Sequence, residues 1–209
     1  MSSTSTSTPT TPRTTTLTTR RKRIIIALTG ATGTILGIHA LLALRALNVE
    51  THLIVSKWAE NTLKYETDYT AANVRALADF AYSNHDLAAP IASGSFRVDG
   101  MIVVPCSMKT LAAINVGYGE DLIARAADVM LKERHRLVLV TRECPLSSVH
   151  LENMLGVTRH GAIVFPPVPA FYTRPAGLAD VVEHIVGRVL DLFGLEVEGL
   201  PRWEGFVKD

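Results

Sequence analysis

The residues able to do chemistry fall in short turns that follow apolar runs. The first turn is Gly30-Ala31-Thr32-Gly33-Thr34, directly after Ile24-Ile25-Ile26-Ala27-Leu28-Thr29. Its glycines let a ligand approach the backbone, and the free amides and positive dipole of the helix that follows favour a phosphate. Thr32 and Thr34 add hydroxyl donors. The spacing is neither G-x-G-x-x-G nor the Walker pattern, so a mononucleotide phosphate is preferred, with a tight turn that holds no ligand as the alternative. A second turn, Cys106-Ser107-Met108-Lys109-Thr110, repeats the arrangement after another apolar run. Ser56 with Lys57, Arg142 with Glu143, and the loop around Tyr172 follow further runs of the same kind. Together they offer hydroxyls and amides for one phosphate and cations for another. Arg125, Asp128 and Lys132 recur on one side of an amphipathic stretch, where a solvated, salt-bridged face is the plain reading. Among these residues there is no Ser-His-Asp order, H-E-x-x-H or C-x-x-C, which disfavours hydrolysis and a zinc centre.

Positioning these turns requires strands alternating with helices. Apolar runs predict strands over 24–28, 49–56, 100–105 and 137–141, with a short one over 162–165. Helical periodicity predicts helices from 35, over 57–63, 71–82, 121–134 and 149–155, and over 178–193 with Gly194 closing the last. A helix also follows Thr110. Residues 88–97, rich in Pro, Gly and Ser, read as a loop over a site, and the prolines of 166–169 fix another loop just past a strand end. The alternation implies an α/β fold, a three-layer doubly wound parallel sheet with ligands beyond the carboxyl ends of its strands.

With 209 residues, 47 % of them hydrophobic, the chain can bury one good core. No apolar run approaches the ~20 residues that span a bilayer. The net charge of +1 hides an asymmetry: five of 21 basic residues lie in 1–23, which holds no acid, leaving 16 basic against 20 acidic residues beyond it. A basic body for nucleic acid is therefore not indicated. Cys106 and Cys144 stand far apart, so a reducing compartment is the default. Residues 1–23, nearly all Ser, Thr, Pro and Arg, read as a disordered tail. Their makeup also suits a mitochondrial transit peptide, with a plain solvated tail in the cytoplasm as the alternative. The folded domain is expected over 24–209.

Several linked stretches resemble one family: Pro105 through Ile114, Asp121 through Val129, Leu131-Lys132-Glu133-Arg134, His150 through Leu155, and Pro169-Ala170-Phe171-Tyr172. In order, they resemble the UbiX-type flavin prenyltransferases, the fungal phenylacrylic acid decarboxylase-associated members in particular. The resemblance implies a flavodoxin-like, Rossmann-like flavoprotein that binds FMN. It also implies transfer of a dimethylallyl group from dimethylallyl phosphate or diphosphate to N5 and C6 of reduced FMN, with no metal required. The product, prenylated FMN, would serve a UbiD-type decarboxylase, and the family's assembly implies a homododecamer whose sites are shared between subunits. Carried over residue by residue, Gly30, Ala31, Thr32, Ser56, Ser107, Met108, Lys109, Thr110 and Arg142 would hold FMN. Lys132, Arg142, Tyr172 and Arg188 would meet the donor phosphate. Glu66 would be the base at C6, relayed by Thr32, with Glu143 orienting its neighbours and Trp203 sharing in stabilising allylic charge. Two departures stand out. Thr32 replaces the family's usual serine, and Asp86-Leu87 occupies the place where some relatives carry an aromatic residue. A flavin-dependent decarboxylase of cysteine-terminated substrates and a non-catalytic flavin carrier are the competing readings.

Overall fold

The computed structural model describes residues 20–206. Six strands form one parallel sheet: β1 (Arg23–Leu28), β2 (Glu50–Val55), β3 (Phe80–Ser83), β4 (Gly100–Cys106), β5 (Arg136–Thr141) and β6 (Ile163–Val164). Their spatial order is β3-β2-β1-β4-β5-β6, the order of dinucleotide-binding doubly wound sheets. The chain runs outward from β1 in one direction and from β4 in the other, so a crevice opens between the ends of these two strands.

Burial on both faces explains the apolar runs. In β1, Ile24, Ile26 and Leu28 face one core with α1 (Thr34–Ala46), α2 (Lys57–Glu66) and α7 (Leu178–Asp191). Ile25 and Ala27 face a second core with α4 (Met108–Asn115), α5 (Leu122–Lys132) and α6 (Ser148–His160). A period of two along a strand thus feeds two helical layers, and Ile24 to Leu28 are all apolar because neither face meets water. No helix among the described residues is long and apolar enough to cross a membrane.

Two expectations need correction. The stretch 71–82 is not one helix: α3 (Ala71–Arg75) stops after five residues, and Phe80–Ser83 pairs in parallel with β2 from His52↔Phe80 to Val55↔Ser83. Asp79 fixes that register by accepting from the Thr51 N–H at 2.9 Å. The folded body also begins before Ile24. Arg23 opens β1, Arg20 forks onto Asp99 at 2.8 and 3.1 Å, and the Lys22 ammonium donates to the Phe193 carbonyl at 2.8 Å. The last basic residues assigned to the tail therefore pin the amino ends of the strands. The expectation of disorder or a transit peptide over 1–19 lies outside the described residues.

Candidate active site

Thr29 builds the floor of the crevice. It is 1 % exposed, and its hydroxyl donates to the Pro105 carbonyl at 2.7 Å while accepting from the Ser107 N–H at 2.8 Å. One side chain thereby ties the end of β1 to the end of β4. Above it lies a cavity of about 500 Å³, reached by Gly30, Ser56, Lys57, Ser107, Lys109 and Thr110. Ser56 caps α2 by accepting from Ala59 N–H at 3.1 Å, and Ser107 caps α4 by accepting from Thr110 N–H at 3.4 Å. Asp121 caps α5 on the same rim and pairs with Lys109 at 3.3 Å. The positive ends of α2 and α4 with Lys57 beside them suit an anion on that side of the crevice, while Glu120 and Asp121, the latter paired with Lys109, line the other.

The start of α1 is different. Its Gly33 and Thr34 N–H groups donate to Glu66 Oε2 at 2.9 and 3.0 Å, and the Thr34 hydroxyl adds a third bond at 2.8 Å. Partial burial works to raise the Glu66 carboxyl, but the hydroxyls of Thr32 and Thr34 and the backbone N–H groups of Thr34 and Gly33 outweigh it, holding the group below its ordinary value. The helix-start amides expected to meet a phosphate are already taken by a carboxylate, which would also repel one. Thr34 is fully buried in that role. The two glycines have separate duties as well. Gly33 adopts φ +100°, and a Cβ on Gly30 would lie 2.5 Å from the Trp58 Cβ, so Gly30 admits a neighbouring side chain rather than an open approach to the backbone.

A second cavity, about 510 Å³, lies beyond β6 against α7 and contains Tyr172, Arg188 and Trp203. Tyr172 stands edge-on to Trp203 with ring centroids 5.7 Å apart, and its hydroxyl lies 3.3 Å from His184 Nε2. Phe165 and Val168 line the cavity as well, together with Arg188 and Arg202. Such a lining suits a small apolar group that carries an anion.

The expected site residues therefore fall in separate places. Gly30, Ser56, Ser107, Lys109 and Thr110 share the first cavity, with Thr32 and Glu66 linked at its β1–α1 edge. Tyr172 and Arg188 share the second. Arg142 and Glu143 follow β5, which the strand order places between the two; both are exposed, and the Arg142 N–H donates to the Cys106 carbonyl at 3.2 Å. Met108 packs toward the core beneath α4. Lys132 ends α5, whose first turn is at the crevice, so eleven residues at ~1.5 Å each place it roughly 16 Å down the helix, where it pairs with Glu133. Sequence reasoning missed Trp58, Asn84 and His85 on the crevice wall. Asn84 follows β3 and accepts from the Ile123 N–H at 3.2 Å, so recognising that strand would have exposed it.

Fold and crevice together define a doubly wound protein with a cleft at its switch point, where hydroxyls and helix-start amides suit a phosphate and the open space suits a flat ring. The Flavoprotein family model matches residues 12–190. Over 186 residues the chain is 62 % identical to "Flavin prenyltransferase PAD1, mitochondrial" of Saccharomyces cerevisiae, covering 89 % of this chain and 77 % of that protein. The crystal structure of AnUbiX (PadA1) in complex with FMN and dimethylallyl pyrophosphate superposes with a TM-score of 0.89 at 64 % identity, covering 90 % of this chain and all of that one. A dodecameric FMN-dependent UbiX-like decarboxylase from Escherichia coli O157:H7 gives 0.86 at 58 % identity, with 88 % and 100 % covered. The chain belongs to the Flavoprotein family and, within it, to the UbiX-like flavin prenyltransferases.

Proposed function

We propose that this chain joins a dimethylallyl group to N5 and C6 of reduced FMN, and that its two cavities divide the task. The observation that carries this reading is the switch-point crevice, with two capped helix starts on one side and an ionised carboxylate on the other. FMN phosphate is held at the starts of α2 and α4 by Ser56, Ser107 and Thr110 with Lys57 and Lys109. Gly30, Ala31 and Thr32 border the isoalloxazine. FMN supplies the nucleophilic ring; the protein supplies orientation, charge and a proton acceptor.

Cleavage of the allylic C–O bond leaves negative charge on the departing phosphate. Arg142, Arg188, Lys132 and Tyr172 are the donors for it, and cationic side chains of that number answer the charge without calling for a metal ion. Aromatic faces of Tyr172 and Trp203 support the positive character of the allyl group. When the ring closes, C6 bonds the tertiary carbon of the prenyl double bond, the neighbouring alkene carbon takes up a proton, and the proton on C6 leaves. Glu66, reached through the Thr32 hydroxyl, takes it; a carboxylate of low basicity suffices because the proton departs as aromaticity is restored. The AnUbiX complex contains dimethylallyl pyrophosphate, which supports a dimethylallyl phosphate or diphosphate as donor here. Prenylated FMN would pass to a UbiD-type decarboxylase.

In a single chain β1 and β6 are three strand spacings apart, roughly 14 Å, and Lys132 lies farther still. We infer that neighbouring copies in a homododecamer bring the donor-side residues to the flavin. The dodecameric E. coli relative supports this, as does α6, where Val149, Leu151 and Leu155 are each at least half exposed. The mitochondrial yeast relative and the composition of the tail favour import into mitochondria.

The test is anaerobic incubation of the chain with reduced FMN and dimethylallyl phosphate or diphosphate. A flavin bearing one added five-carbon unit is expected. Unchanged flavin with decarboxylation of a cysteine-terminated substrate would contradict the reading, as would tight FMN binding with neither reaction.

A further inference from the structure

One wall of the second cavity is the chain's last described segment, Pro201, Arg202 and Trp203, which runs back along α7. Leu200 crosses the helix at Gly187, where a Cβ would lie 2.5 Å from the leucine methyl, so the crossing point admits no side chain. Two residues later Arg202 forks onto Asp191, one turn beyond Gly187, with Nη2 at 2.8 Å from Oδ1 and Nη1 at 2.9 Å from Oδ2. That second carboxylate oxygen also accepts from Arg188 Nη1 at 2.9 Å. Asp191 is 15 % exposed, and the Arg202 hydrogen bonds foremost, with the charges of both arginines, hold its carboxyl below the usual range. Trp203, next in the chain, then stands against Tyr172.

We propose that Asp191 is the positioning residue of the donor step: one carboxylate aims Arg188 into the cavity and, through Arg202, latches the C-terminal segment so that Trp203 closes on Tyr172. The proposal rests on the reading of this cavity as the donor's. The two-point grip on Arg202 gives it a mechanical sense. When a phosphate draws Arg188 away from the shared Oδ2, the fork to Arg202 remains, so the latch stays shut while the cation turns to the ligand.

Three variants of the full chain test it, each also made with Trp58→Phe so that Trp203 is the remaining tryptophan. Asp191→Asn and Arg202→Ala should each raise the KM for dimethylallyl phosphate about tenfold, the loss of one charge-assisted contact, with the FMN Kd held within about twofold. In both, acrylamide should quench Trp203 more readily, and Arg202→Lys should recover part of each change. Arg202 is exposed, so its variants carry the test if Asp191→Asn does not fold. Unchanged donor KM and unchanged Trp203 quenching in Arg202→Ala would overturn the proposal, as would equal weakening of FMN and donor. Arg188→Ala is the control on the underlying reading. Should that variant keep the donor KM of the parent, the cavity is not the donor's and the proposal falls with it.

Discussion

Glu66 carries two duties that pull against each other. It closes the start of α1 with three bonds to one oxygen, and it is the group beside Thr32 that can take a proton. Replacement by Gln keeps an acceptor for the helix and removes the base, so Glu66→Gln should bind FMN nearly as well as the parent and lose about a hundred- to ten-thousand-fold in product formation. Stopped-flow kinetics with FMN titration separates the two. Normal turnover in that variant would contradict the assigned base. Because the carboxyl is held below its ordinary value of 4.5, the acidic limb of the rate profile set by this group should fall below that pH. At this scale the sequence was partly legible. The types of Glu66, Thr32, Ser56 and Ser107 announced their chemistry. Which amides were free was hidden, because a carboxylate 33 positions from Gly33 consumes them and no local pattern records such a contact. Gly30 misled in the same way: its missing side chain makes room for Trp58, a residue distant in sequence.

Elements place the residues, and the chief placing device is the tie between β1 and β4. Thr29→Val keeps the shape of the side chain and strands the part-buried Ser107 amide, while the Pro105 carbonyl keeps the Thr29 N–H at 3.2 Å, so the expected cost is about 1–2 kcal/mol in urea unfolding together with weaker FMN binding. A stability equal to the parent's would show that the tie is incidental. Gly30→Ala forces a Cβ against Trp58 and should cost a similar amount, about 1–3 kcal/mol, with the crevice distorted. The buried strands β1, β4 and β5 were plain from their apolar runs, and α7 from its period. β3 was not: four residues, FAYS, follow an alanine-rich helix turn, and the strand exists because β2 offers an open edge with Thr51 positioned for Asp79. Pairing of that kind is set by the fold. With β3 unseen, Asn84 and His85 stayed unplaced, since the rule that sites sit at strand ends needs the strand first.

For the whole molecule, charge and assembly are the testable matters. Glu66 and Asp191 both have depressed carboxyls, so their stabilising contributions are fully present above the ordinary carboxylate values of 4.5 and 3.8 and fade as pH falls through the lower folded values. Their loss should therefore show below about pH 5, whereas His52, which burial holds below its ordinary 6.5, takes stability away as pH falls from neutral through that value, so thermal unfolding should decline in two stages. A melting temperature that stays level from neutral pH to pH 3 would contradict both assignments. If sites are shared between copies, Glu66→Gln subunits, altered on the flavin side, and Arg188→Ala subunits, altered on the donor side, each impaired alone, should regain part of the activity when unfolded and reassembled together, and no recovery would place both residues in one chain's site. The most direct measurement is a crystal structure of the protein with reduced FMN. Our account places the phosphate between Ser56 and Ser107, at the starts of α2 and α4, with the isoalloxazine alongside Thr32 and Glu66 still bonded to Gly33 and Thr34. A phosphate seated on the Gly33 and Thr34 amides with Glu66 displaced, or an FMN bound elsewhere with the crevice empty, would contradict it.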